Sequence, residues 1–305
     1  MSFGTKYLHY PDLFPARRSG EAWGKYGATI DLIGGPYRVS GLSERQLERV
    51  EESYGELIPA RGVRGRIELQ VFRSADSDFL PLQEVPATYQ VDLDPSAASL
   101  RLACHEFMAR LDWVPQLTAC LWTSFEDGED FDRVFANYFR TAVAYAVLES
   151  GGALVHSAGL LDDQGAMLFV GHSGAGKSTI TRLGHHEGLQ VLSDDLNALC
   201  LEDGKLRLER LPFAGEFRTE GPYGRYPLSS VFRLNKGEQF SIQPIGQAEA
   251  LAFVASCCPF VNSDPYRAAT LLENLDRLID RFPVQDLTFP LAGGFWDRLR
   301  SVRAA

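Results

Sequence analysis

Only five of the 305 residues are cysteine: Cys104, Cys120, Cys200, Cys257 and Cys258. They form no Cys-x-x-Cys pair and are odd in number, which argues against a disulfide framework or a zinc site and for free thiols in a reducing compartment. Basic residues are outnumbered as well, with thirty Lys and Arg against forty Asp and Glu and a formal charge of −10. A general affinity for nucleic acid or for an anionic membrane would need the opposite balance. No apolar run approaches the roughly 20 residues of a membrane span, and the polar, aromatic N-terminus lacks the pattern of a secretory signal. The expectation is a cytoplasmic protein with neither nucleic acid nor membrane as a partner. What is present is ordinary for a globular chain, with 45% apolar and 23% charged residues and length enough for two domains.

The first 25 residues are rich in Tyr, Pro, Arg and Gly without periodicity and read as an extended arm. Thr29–Ile33 and Tyr37–Ser40 flank Gly34-Gly35-Pro36 as a hairpin, and Ser43 caps a short helix through Tyr54. Ile67–Phe72 alternates as a half-buried strand, with further strands near Thr88–Leu93 and Ser99–Ala103. These elements make residues 1–128 an N-terminal mixed α/β domain, for substrate or partner binding. The acidic stretch Glu126-Asp127-Gly128-Glu129-Asp130 reads as a surface turn and helix start. The helix that follows, to about Ser150, carries Phe131, Val134, Phe135, Tyr138, Ala142, Tyr145 and Leu148 at helical spacing, as a core face. Residues 129–305 form the second domain.

That domain holds the most specific signal in the chain. Residues 171–178 read Gly-His-Ser-Gly-Ala-Gly-Lys-Ser, a full match to the phosphate-cradling pattern G-x-x-x-x-G-K-[ST]. Upstream, Ala166–Val170 has the length of a buried strand. Downstream, Lys177–Glu187 reads as a helix with Ile180 and Leu183 on one side and Gly188 as its stop. Gly171, Gly174 and Gly176 let the backbone wrap so that successive N–H groups point at phosphate oxygens, and the helix N-terminus adds partial positive charge. Ser173, Ala175 and Thr179 complete the nucleotide-binding set. Lys177 is placed to reach the terminal phosphates of ATP, and the Ser178 hydroxyl to ligate Mg²⁺. His156 lies on the strand Ala153–Leu161, expected to pair as a hairpin with Ala166–Val170 and so to stand close to the loop. Leu189–Leu192 forms a further strand ending in Ser193-Asp194-Asp195, two carboxylates where open α/β sheets collect their ligands.

His156-Ser-Ala-Gly, the glycine loop through Thr179, and Leu192-Ser193-Asp194-Asp195 together resemble the catalytic domain of HPr kinase/phosphorylase and its relatives, over roughly residues 150–200. The resemblance implies an α/β P-loop kinase domain related to the phosphoenolpyruvate carboxykinase nucleotide-binding core. It also implies ATP- and Mg²⁺-dependent phosphorylation of a serine-type hydroxyl on a peptide, protein or small molecule. Lys177 would bind the β- and γ-phosphates. Asp195 or Asp194 would act as base, the other assisting metal or acceptor, and His156 would sit beside the transferred group. A homo-oligomer, ring or dimer, is implied as a state to test. The family's Arg-Gly-Leu-Gly signature, which supplies a metal-binding Glu, is absent as such. In its region stand Leu211–Arg218, with Glu216 the candidate metal ligand and Arg218 the candidate phosphate clamp.

The alternative classes are a nucleotide-binding sensor or scaffold and a non-kinase P-loop ATPase. A transporter-type ATPase needs a Leu-Ser-Gly-Gly-Gln signature and an apolar strand ending in Asp-Glu, and neither occurs. In the C-terminal third, Pro227–Leu234 continues the sheet and Asp264-Pro265 opens a helix with Leu271, Leu272, Leu275, Leu278, Ile279 and Phe282 as its buried stripe. Val284–Phe289 is a final strand, and a short helix carries Trp296. Gly215–Tyr226, rich in Gly, Arg and Tyr without periodicity, reads either as a flap over the site or as a plain surface loop.

Overall fold

The computed structural model describes residues 20–60, 65–75, 91–104, 106–213, 215–217, 222–290 and 294–303. It is an α/β protein of mixed sheets and helices, and the chain divides into two compact units, Met1–Ala146 and Val147–Ala305. Arg218 and most of the N-terminal arm lie outside the described residues.

In the first unit, β1 (Glu21–Ala22) joins β4 (Ile67–Arg73) at the side of a sheet. The sheet takes β2 (Tyr26–Ile30), β3 (Tyr37–Leu42), β5 (Asp92–Pro95), β6 (Ser99–Ala103), β7 (Phe107–Asp112) and β8 (Thr118–Thr123) in the order β2-β3-β4-β8-β7-β6-β5. The β2–β3 hairpin forms with Ile30 opposite Tyr37. Helix α1 (Glu44–Tyr54) opens on a capping box: the Ser43 hydroxyl accepts from the Gln46 N–H while the Gln46 side chain accepts from the Ser43 N–H. Helix α2 (Gly128–Glu149) buries its aromatic face within this unit, Phe139 standing edge-on to Tyr37 and Phe135 against Tyr54. Those rings are core. Each fully buried one contributes on the order of 2–3 kcal/mol through area removed from water.

The second unit is built around two long strands, β9 (Ala153–Asp162) and β14 (Arg225–Lys236), each of which serves two sets of neighbours. The later part of β9 pairs with β10 (Gly165–Val170) and β11 (Gln190–Ser193), and its start pairs with β12 (Leu196–Glu202). The start of β14 pairs with β13 (Lys205–Arg210), and its remainder lies parallel to β10 on one side and to β16 (Val284–Phe289) on the other. β12 pairs with β13, so the strands close in the cycle β10-β9-β12-β13-β14, with β15 (Ser241–Pro244) outside on β16.

Directions follow from these pairings. β9 opposes β10 and β11 opposes β9, so β10, β11, β14 and β16 all run the same way and end at one edge. Helices α3 (Lys177–His186) and α6 (Trp296–Arg303) pack Ile180, Trp296 and Leu299 on the sheet face formed by Leu160, Phe169, Phe232 and Leu287. Helices α4 (Gln247–Ser256) and α5 (Ala268–Arg281) pack against each other. Helix α5 begins three residues after Pro265, because the Asp264 carboxylate instead receives the Tyr266 N–H and the Arg267 guanidinium. Leu272 is exposed, so the buried stripe is Leu271, Leu275, Leu278 and Ile279. The Gly215–Tyr226 stretch is irregular where described, and β14 begins at Arg225.

Candidate functional site

The glycine loop leaves the carboxyl end of β10 and turns directly into α3. Its sequence dictates this. Gly174 and Gly176 hold φ of +78° and +110°, values that cost a side chain strain, and Gly176 as the residue before the helix supplies no side-chain cap. The first N–H groups of α3 therefore open without a competing side-chain acceptor onto a cleft of about 340 Å³.

Strand register brings the other groups to this cleft. Val170 pairs with Ser157 on β9, so His156, the residue before it on that strand, stands beside the loop. β11 runs with β10, so Asp194 and Asp195 leave its end at the same edge. Ser173, Gly174, Gly176, Lys177, Ser178 and Thr179 line the cleft together with His156, Asp194, Asp195 and Glu216. Of the sequence-derived loop set, Gly171 and Ala175 stand behind the wall: the Gly171 carbonyl accepts from Lys177, and Ala175 packs on the core.

The two acids differ. Asp194 is nearly buried, and both carboxylate oxygens are engaged: Oδ1 accepts from the Gly215 N–H at 3.2 Å, and Oδ2 from Glu216 at 2.9 Å and Phe217 at 3.3 Å. Asp194 is thus an anchor for the 215–217 segment and carries Glu216 to the cleft. Gly215 makes this approach feasible, since a Cβ there would lie 2.5 Å from the Asp194 carboxylate. Asp195 faces His156, whose Nδ1 is 3.0 Å from both its Oδ1 and its backbone carbonyl. The Ser193 hydroxyl, fully buried, accepts from the Asp195 and Leu196 N–H groups and fixes the turn that splits the pair.

Lys177 is almost fully buried and donates to the carbonyls of Gly171 at 2.7 Å and His172 at 3.1 Å. Burial holds its ammonium below the ordinary lysine range, opposed by Cys257 and Asp195. A bound polyphosphate would favour the charged form. His172 turns away from the cleft, edge-on to Phe253 and 3.4 Å from the Ser256 hydroxyl.

Among the described residues no three His, Cys, Asp or Glu side chains converge as a protein cage for a metal. Oxygen donors lining the cleft include the Ser178 hydroxyl and the carboxylates of Asp194, Asp195 and Glu216, those of Asp194 already accepting backbone N–H groups. Such hard oxygens suit Mg²⁺, which keeps water and nucleotide oxygens as most of its ligands. Three contributors have no local sequence signal: Ser193, Gly215 and Lys236, the last at the end of β14 and lining the same cleft. Comparison with known proteins finds no family model and no curated protein that matches this chain.

Proposed function

We propose that the protein is an ATP-dependent phosphotransferase that moves the γ-phosphoryl group to a serine-type hydroxyl, using a P-loop domain of the HPr-kinase kind. One observation carries this reading: the glycine loop, Lys177, Ser178, His156 and Asp195 share one cleft at the carboxyl edge of the sheet. Phosphoryl transfer asks a protein for in-line positioning and for neutralisation of charge on the migrating group. The α3 N-terminus and Lys177 supply fixed positive charge. Mg²⁺, held by Ser178 and phosphate oxygens, would neutralise the rest. Asp195 is the base toward the acceptor hydroxyl, because the oxygens of Asp194 already serve the 215–217 backbone. His156 orients the Asp195 carboxylate through its Nδ1 contact.

The test is incubation with γ-labelled ATP, Mg²⁺ and hydroxyl-bearing acceptors, scored for labelled phosphoester, free phosphate and bound nucleotide. The proposal expects acid-stable, alkali-labile phosphoester. Free phosphate alone would indicate an ATPase, and binding without turnover a sensor. Asp195→Asn is expected to lower transfer by about 10²–10⁴-fold while nucleotide binding persists. Transfer at the parental rate would overturn the base assignment.

A further inference from the structure

We infer that Lys236 is a second polyphosphate-binding cation of the same cleft, acting opposite Lys177. The proposal rests on reading residues 171–178 as a phosphate loop and adds to it a residue sixty positions downstream.

Strand geometry places Lys236 there. β14 lies parallel to β10 with Arg233 opposite Val170, the last residue before the loop. Side chains alternate along a strand, and Phe232 and Leu234 are buried in the cluster beneath α3. Lys236 therefore points to the face that carries α3 and the loop. A Cβ built on Gly171 would lie 3.7 Å from Leu234, so Lys236, one side-chain repeat onward, stands past the first glycine along the course of the loop. Its strand partner is Phe289, whose ring lies 3.3 Å from a Cβ built on Gly176, the residue that precedes Lys177. Both ends of the loop thus border the strand positions around Lys236, and its side chain lines the cleft.

The charge there has no structural employment. The neighbouring Arg233 is held by Asp286 and Glu249, and Asn235 donates to Asp286. Lys236 has no ion-pair or hydrogen-bond partner for its side chain among the described residues. The chain is acidic and takes its positive charge almost wholly as arginine: it has five lysines, and two of them line this one cleft. Lysine is a compact charge on a flexible stem, suited to follow a phosphoryl group that changes position, where the fixed fork of arginine is suited to one bidentate geometry. The ligand class that calls for two ammonium groups and a helix N-terminus around one cleft is a polyphosphate chain, the triphosphate of a nucleotide.

The experiment is titration of the full chain with Mg-ATP and, separately, with inorganic tripolyphosphate. Parent, Lys236→Ala, Lys236→Arg and Lys205→Ala are compared, the last being an exposed lysine at the start of β13 that controls for net charge. Lys236 is exposed, so its truncation should leave the melting temperature unchanged. The expected result is at least tenfold weaker binding of both probes to Lys236→Ala, partial recovery in Lys236→Arg, and no change in Lys205→Ala. Equal affinity of parent and Lys236→Ala would overturn the role of Lys236 and leave the loop reading intact. Failure of the parent to bind either probe would overturn both.

Discussion

Adjacent aspartates that look equivalent in a sequence can be separated by what their oxygens already do. At positions 194 and 195 the division is set by backbone: three N–H groups of Gly215, Glu216 and Phe217 converge on Asp194, and none of these reaches Asp195. Asp194→Ala would leave those donors without their acceptor in a partly buried turn. An unfolding free energy lower by about 1–3 kcal/mol is expected in urea titration, with Asp194→Asn intermediate because one oxygen remains. Were Asp194→Ala as stable as the parent, the anchoring role would be wrong. Residue types and spacing over 171–178 declared the loop because eight contiguous positions encode it. The division of labour between Asp194 and Asp195 depends on partners about twenty residues away, and no local pattern records such a bond.

At the scale of elements, the strands around the loop are tied by a polar clasp on the face opposite the core. The Arg233 guanidinium on β14 donates to both carboxylate oxygens of Asp286 on β16, at 2.5 and 2.6 Å, and Asn235 adds a bond at 2.9 Å. The hydrogen bond from Arg233 is the largest influence and holds the Asp286 carboxyl below its ordinary value of 3.8; burial opposes it, and Asn235 adds a lesser lowering. The sign follows. A carboxyl whose folded value is depressed contributes stability that is fully present above its unfolded value and is lost as pH falls through the folded value. Asp286→Asn should therefore cost stability by a constant amount from pH 5 to 7, with the gap to the parent closing below about pH 3.8. Urea titrations across that range measure it, and a gap that widened on acidification would contradict the assignment. The hairpin of β9 and β10, the helix α3 and its Gly188 stop are legible from period and punctuation. β7 and β8 are not, because nearly every position in them is buried and the alternation that marks a half-exposed strand is missing. The parallel contact of β14 with β10 is equally silent, since pairing across sixty residues leaves no local trace, and Lys236 goes unmarked with it.

For the whole molecule the useful fact is that each compact unit carries its own reporters. Trp23, Trp113 and Trp122 belong to the first, and Trp296 is the indole of the second. Trp296 is buried against Phe169 and Phe295 on the face that α3 covers. A ligand that binds only the folded cleft stabilises it by mass action, by about 2.7 kcal/mol at a hundred times its dissociation constant. Mg-ATP should therefore raise the denaturation midpoint reported by Trp296 in a variant whose other tryptophans are replaced by Phe. An unmoved midpoint at saturating nucleotide would count against the cleft as the binding site. No helix among the described residues is long and apolar enough to cross a membrane, and the net charge of −10 favours partners other than polyanionic surfaces.

Calorimetric titration of the parent and of Lys177→Ala with Mg-ATP puts the gripping of a triphosphate by residues 171–178 to the proof. The account predicts a single site on the parent and at least a tenfold loss of affinity when the Lys177 ammonium is removed. Absence of heat with the parent, or equal affinity in the two proteins, would contradict it.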